Sequence, residues 1–285
     1  MTMTNERTLV LGGGGITGIA WEAGVLAGLI DNGIKLNEAD KIIGTSAGSF
    51  VGAVLANGYD MKDYYYELDE RRDENDRASM LSDIYRLWQN AFIVGRDDAE
   101  KVGQMMGDIV YTRPSKVDLN ERKQAIRQRL GDVEWKDNLE ITAINAKTGV
   151  TGTFNSQSGV TLEEAVTASG AVPGIWPHIR LNESDWIDGG MVSPTNAMLA
   201  EGAKSIIILA PLADGLGMMP SAFDDAEKLN KHSNVLVISP DSDSQAEIGD
   251  NIYNPNNILN IGNAGYKQGQ ALAQKIRDNY KEWIH

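Results

Sequence analysis

The chain has 285 residues, 42% of them hydrophobic, with a mean hydropathy of -0.30 and a formal net charge of -14. No apolar run approaches the ~18 residues of a membrane-spanning helix, the charge repels nucleic acid and anionic lipid surfaces, and the lack of cysteine excludes disulfides and thiolate metal sites. One α/β domain over residues 1–285 is expected from this length. The polar start, Met1 to Arg7, leaves no room for a secretory leader, so a cytoplasmic location is expected.

The first predicted strand, Thr8 to Leu11, runs into a glycine-rich stretch in which Gly13, Gly15 and Gly18 satisfy G-x-G-x-x-G ahead of a helical pattern. Two chemistries use such a loop. A dinucleotide site would set a pyrophosphate on the helix N-terminus and needs an acidic residue about 20 positions further on, at the end of a second strand. Here that stretch, Asp31 to Asp40, is polar and turn-like. Alternatively, the N–H groups of Gly13, Gly14 and Gly15 form an oxyanion hole, in which each donor stabilises a transition state by about 3 kcal/mol.

The next strand, Lys41 to Ile43, leads into Gly44-Thr45-Ser46-Ala47-Gly48 and then a helix-like run. This is the pattern of a nucleophile elbow, where small residues two positions either side of the serine let a strained turn close and leave its hydroxyl exposed. The same string also occurs in ordinary loops, so its neighbours decide. For the glycine loop to serve Ser46, the first two strands must lie side by side, as consecutive strands usually do.

Between Tyr59 and Arg113 the composition changes: Tyr64 to Tyr66, a charged stretch from Asp69 to Arg77, then Leu81, Ile84, Tyr85, Leu87 and Trp88 at helical spacing. The spacing predicts a helical insertion whose apolar stripe packs on the core, with a part in covering a substrate as the alternative. The basic group Arg122, Lys123, Arg127 and Arg129 reads as a solvated helix face. Leu139 to Asn145 and Thr151 to Phe154 read as a hairpin, and Ser205 to Leu209 and Val235 to Ser239 as further strands. Asp250 to Asn263 reads as a loop and Ala264 to Ile284 as a closing helix. Continuous apolar strands alternating with helices predict a three-layer α/β/α fold with a mainly parallel, mixed sheet.

A serine nucleophile needs a base. Of the three histidines, His285 is terminal, His178 sits beside Pro177 in a loop-like stretch, and His232 precedes its strand whereas Ser46 follows its own. In a parallel sheet those ends lie about 17 Å apart for five-residue strands, which counts against a Ser46–Asp188–His232 triad. Asp188, in Trp186-Ile187-Asp188-Gly189-Gly190, remains either as a partly desolvated base or as a turn residue.

Taken together, Gly13 to Gly18, Gly44 to Gly48, Ala168-Ser169-Gly170-Ala171-Val172-Pro173 with Pro177, and Asp188-Gly189-Gly190 resemble, in order, the motifs of the patatin-like phospholipases. The resemblance spans about Leu9 to Ala200. It implies a serine acyl hydrolase with a Ser46–Asp188 dyad, an oxyanion hole at Gly13, Gly14 and Gly15, and supporting roles for Gly18, Gly44, Gly48, Gly189 and Gly190. The implied partner is a lipid or small acyl ester, with at most transient membrane contact and neither metal nor organic cofactor. The chain departs from the pattern at Thr17, where the family usually has Arg or Lys. Another departure is the spacing from Gly18 to Gly24, one residue longer than usual, and a third is Trp176 in place of Phe. A non-catalytic acyl-chain binder on the same fold and a dinucleotide enzyme are the alternatives.

Overall fold

Parallel pairing of the continuous apolar runs builds the centre of the molecule. A computed structural model describes residues 6–70 and 81–284. Its strands are β1 (Arg7–Leu11), β2 (Lys41–Thr45), β3 (Leu139–Asn145), β4 (Thr151–Phe154), β5 (Ile179–Leu181), β6 (Ser184–Asp188), β7 (Ser205–Leu209) and β8 (Asn234–Ile238). Pairing follows the order β5-β6-β3-β2-β1-β7-β8, with β4 also on β3. The β8-β7-β1-β2-β3 run is parallel, and β4, β5 and β6 pair antiparallel, so the sheet is mixed as expected.

The helices are α1 (Gly15–Ile30), α2 (Ala47–Ala56), α3 (Met61–Glu70), α4 (Ser82–Gly95), α5 (Ala99–Thr112), α6 (Leu119–Leu130), α7 (Leu162–Ser169), α8 (Ala222–Leu229), α9 (Ser242–Ile248) and α10 (Ile258–Asn279). Strand side chains alternate between two faces. Leu9, Leu11, Ile42 and Ile141 pack with α1, α2 and α10. Val10, Ile43, Ile206 and Ile208 pack with α8, while Ile144 and Ile187 pack with α4 and α5. Every residue of α1 from Ile16 to Leu29 is buried, which is why the helix is apolar on all sides and lacks an amphipathic stripe.

Four sequence expectations change. The β5–β6 hairpin was not foreseen: its strands are short, and the turn places Asn182 (φ 48°) and Glu183 (φ 65°) in left-handed backbone without a glycine to signal it. The Asn-rich stretch expected to be loop up to Asn263 is helical from Ile258, because Ile258 and Ile261 pack into the core. The basic group on α6 is not a uniformly solvated face, since Arg122 is only 6% exposed. On α4, Ile84 is buried and Leu87 and Trp88 pack against the core, whereas Leu81 and Tyr85 are exposed. Of the charged stretch Asp69 to Arg77, residues 71–77 lie outside the described residues, as do residues 1–5 and His285. No helix among the described residues is long and apolar enough to cross a membrane.

Candidate active site

Ser46 caps α2 directly after β2 with φ 51° and ψ -112°, a conformation that costs free energy for any residue with a Cβ. Contacts on both sides hold the turn. A Cβ on Gly48 would lie 2.1 Å from the Leu11 carbonyl oxygen, so only glycine lets α2 start against β1, where the Gly48 N–H donates to Gly12 O at 2.9 Å. A Cβ on Gly44 would lie 2.7 Å from Gly48 O. The elbow spacing is thus a packing requirement of this crossing. Ser46 itself is half-buried and reaches the surface of a cleft.

Registers bring Asp188 to the same place. On β3, β4 pairs Ile141 to Ile144, so β2 (opposite Leu139 to Thr142) and β6 (opposite Ala143 to Asn145), which both overlap it, must occupy the other edge of β3. β2 ends with Thr45 opposite Thr142, and β6, running the other way, ends with Asp188 opposite Ala143. The two strands meet head to head. The Asp188 carboxylate accepts the Gly190 N–H at 2.7 Å, and the neighbouring Ser46 side chain favours its ionised form. Asp188 is 3% exposed. Burial raises its pKa to about 6, against the lowering effect of the Ser46 side chain, the Gly190 N–H and the Arg122 charge.

The segment Ala168 to Pro173 touches both residues. Ser169 Oγ accepts the Ser46 N–H at 2.8 Å, and the Ala171 carbonyl accepts the Asp188 N–H at 3.1 Å. Beneath the strand junction, Asn196 (φ 53°) donates from Nδ2 to Thr45 Oγ1 at 3.0 Å, Thr142 Oγ1 at 3.2 Å and Gly189 O at 3.0 Å. All of these groups are buried. Sequence reasoning missed Asn196 and Thr142, because a single polar residue in a loop carries no pattern.

The glycine loop lies beside Ser46, since β1 and β2 are paired neighbours. Gly13 departs from expectation. Its N–H donates to Pro194 O at 2.8 Å and is therefore not a free donor, and the Gly12 N–H is held by Leu209 O and Glu22 Oε1. Burial raises the pKa of the fully buried Glu22 carboxyl well above its usual range, against the lowering effect of the Gly12 N–H. Gly14 and Gly15 keep N–H groups with no acceptor among the described residues. Gly15 has φ 61°, and a Cβ there would lie 2.5 Å from Ile252 O. Thr17 is buried, donates to Gly14 O from its hydroxyl at 3.2 Å and braces the loop from within. Gly18 closes the first turn of α1 by donating to Gly14 O.

A cleft of about 1060 Å³ opens over Ser46, Asp188 and Gly13 to Gly15. Its walls are largely apolar, with Trp88, Phe92 and Ile93 from α4 facing Leu212, Leu216 and Phe223. His232 is exposed on the turn before β8, at the opposite end of the parallel strands from Ser46. His178 packs edge-on to Tyr111. Neither histidine lines this cleft.

An α/β sheet with a serine elbow, a partnered carboxylate and a glycine loop at one strand edge defines a recognisable class. The patatin-like phospholipase family profile matches residues 9–201, and the chain belongs to that family. Lysophospholipase NTE1 of Yarrowia lipolytica is 28% identical over 205 residues, 70% of this chain and 12% of that protein. Its namesakes in Eremothecium gossypii and Saccharomyces cerevisiae are 30% and 29% identical over 203 and 201 residues, again 70% of this chain but 11% and 10% of theirs. The chain thus spans only about a tenth of the length of the curated relatives it matches. Among solved structures, VipD from Legionella pneumophila superposes with a TM-score of 0.45 at 13% identity, over 95% of this chain and 67% of that one. The type III effector protein ExoU gives 0.43 at 17%, over 95% and 53%.

Proposed function

We propose that the chain hydrolyses carboxylic esters of lipids, as a phospholipase A or lysophospholipase, with Ser46 as nucleophile and Asp188 as base. The meeting of Ser46 and Asp188 at the head-to-head ends of β2 and β6, under a cleft walled by apolar side chains, carries the reading. A carboxylate with a pKa of about 6 is ionised at neutral pH yet more basic than a surface aspartate. Asp188 accepts the hydroxyl proton as Ser46 Oγ attacks the ester carbonyl carbon. The oxyanion receives the N–H groups of Gly14 and Gly15 at the positive end of α1. Collapse expels the alcohol or lysolipid, which leaves with the proton, and an acyl-enzyme remains. Asp188 then takes a proton from water, whose oxygen attacks the acyl carbon and releases the fatty acid. No step calls on a metal or an organic cofactor. A cytoplasmic location and at most transient contact with membranes belong to the same proposal, as does the reading of residues 1–285 as one domain with an inserted helical region at about 59–113.

A fluorophosphonate probe tests it. Wild-type protein should be labelled and Ser46→Ala should not, while acyl esters are hydrolysed by the first alone. Equal labelling of both, or fatty-acid binding with no turnover on any ester, sinks the reading.

A further inference from the structure

Ser46 borders two spaces, of which only the smaller is lined by arginines. One is the apolar cleft. The other is a pocket of about 30 Å³ lined by Ser46, Ala47, Gly15, Arg122, Arg129 and Tyr253. Both arginines come from α6 at i and i+7, which places them on one face two turns apart. Lys123 and Arg127 point elsewhere, both paired with Glu163. The four-residue basic group is therefore split between a surface ion-pair cluster and a pair of guanidinium groups beside the nucleophile.

The site is built. The Arg122 guanidinium lies 4.0 Å from the centre of the Trp176 ring, and that of Arg129 5.9 Å from the Phe50 ring, so flat aromatic faces orient both forks. Burial lowers the Arg122 pKa only to about 10, which leaves it charged at neutral pH. The buried Arg122 and the half-buried Arg129 thus bring two cations to one pocket of a chain whose net charge is -14. An ester has an acyl side and an alcohol side. The large apolar cleft suits the acyl chain, and the arginine pocket across Ser46 is left for the alcohol side. Paired guanidinium forks match the oxygens of a phosphate better than any neutral group.

We infer that Arg122 and Arg129 form a phosphate subsite for the alcohol portion of the ester, so that phosphate-bearing acyl esters are preferred over neutral glycerides of the same chain. This rests on the hydrolase reading above, and the test separates the two. In calorimetric titration of Ser46→Ala protein, glycerol 3-phosphate should bind and glycerol should not. Adding Arg129→Gln should weaken that binding about tenfold, the loss of one charge-assisted contact. Arg122→Lys keeps the charge without the fork and should also weaken it, with an unchanged thermal midpoint reporting an intact fold. In the active protein, the kcat/KM ratio of a lysophosphatidylcholine to a monoacylglycerol of equal chain length should fall about tenfold with Arg129→Gln.

Absent binding of glycerol 3-phosphate, or binding that Arg129→Gln does not change, overturns the inference whether or not esters are cleaved. Equal loss on both esters overturns it in favour of a general electrostatic role, and inorganic phosphate binding as tightly as glycerol 3-phosphate overturns it in favour of a free-anion site. If glycerol 3-phosphate binding responds to Arg129→Gln but no ester is hydrolysed, the subsite stands and the hydrolase reading falls.

Discussion

Ser46 and Asp188 meet because β2 and β6 end head to head on one edge of β3, Thr45 opposite Thr142 and Asp188 opposite Ala143. Asp188 is the last residue of β6, and Ser46 directly follows the last residue of β2. Their approach is therefore fixed by backbone register, with the side chains spanning only the final gap. Slipping β6 by one residue would turn Asp188 to the other face of the sheet.

The pH dependence follows from Asp188. In the proposed mechanism its conjugate base is the active form, so kcat/KM on an uncharged ester should rise with pH through an apparent pKa of about 6. Asp188→Asn should remove that limb together with turnover, whereas His232→Ala should keep both.

Stability should move in the opposite sense. The folded state raises the Asp188 pKa from 3.8 to about 6, so it binds this proton more tightly than the unfolded chain does. The resulting stabilisation is complete below pH 3.8 and is lost as pH rises through 6. Asp188→Asn should accordingly be more stable than wild type at pH 8, by about 3 kcal/mol at most, and lose that advantage near pH 3.5. Thermal melts at the two pH values measure it.

Gly48→Ala tests the elbow. A methyl group 2.1 Å from Leu11 O forces α2 away from β1, at a cost of about 3 kcal/mol or more. The urea midpoint should drop. Any folded protein that remains should lose fluorophosphonate labelling, because Ser46 moves with α2.

Asn196→Ala should destabilise the chain by about 2–3 kcal/mol, since Gly189 O and the two threonine hydroxyls lose a common donor. Asn196→Gly tolerates φ 53° but also lacks the amide. If the network is what matters, both variants lower kcat with little change in KM, and a glycine variant with wild-type kcat would assign the effect to the backbone instead.

The wall of the cleft should set chain-length preference. Trp88→Ala and Phe92→Ala remove apolar surface next to the site, so kcat/KM for a long-chain ester should fall about tenfold relative to a short-chain one. A parallel loss on both esters would mean that α4 supports the site without touching the acyl chain.

Much of the site is legible in the residue string because its determinants are local. Elbow, glycine loop and Asp-Gly-Gly turn each place special backbone conformations within a few residues, and glycine spacing records them. The β5–β6 hairpin escaped because three-residue and five-residue strands with polar outward positions have no clear period. The spent N–H of Gly13 escaped for another reason: its acceptor, Pro194 O, comes from far along the chain.

Sequence alone determined the order of the motifs along the chain, the residue types of the proposed dyad and the placement of His232 before its strand where Ser46 follows its own, since strand direction and local turn chemistry suffice for these. Tertiary structure decided which donors stay free, how Asn196 ties the two strand ends together, and that Arg122 and Arg129 face Ser46 while Lys123 and Arg127 face Glu163. Those outcomes depend on which side of a helix or strand is covered by residues distant in the chain, and spacing along one helix cannot encode that.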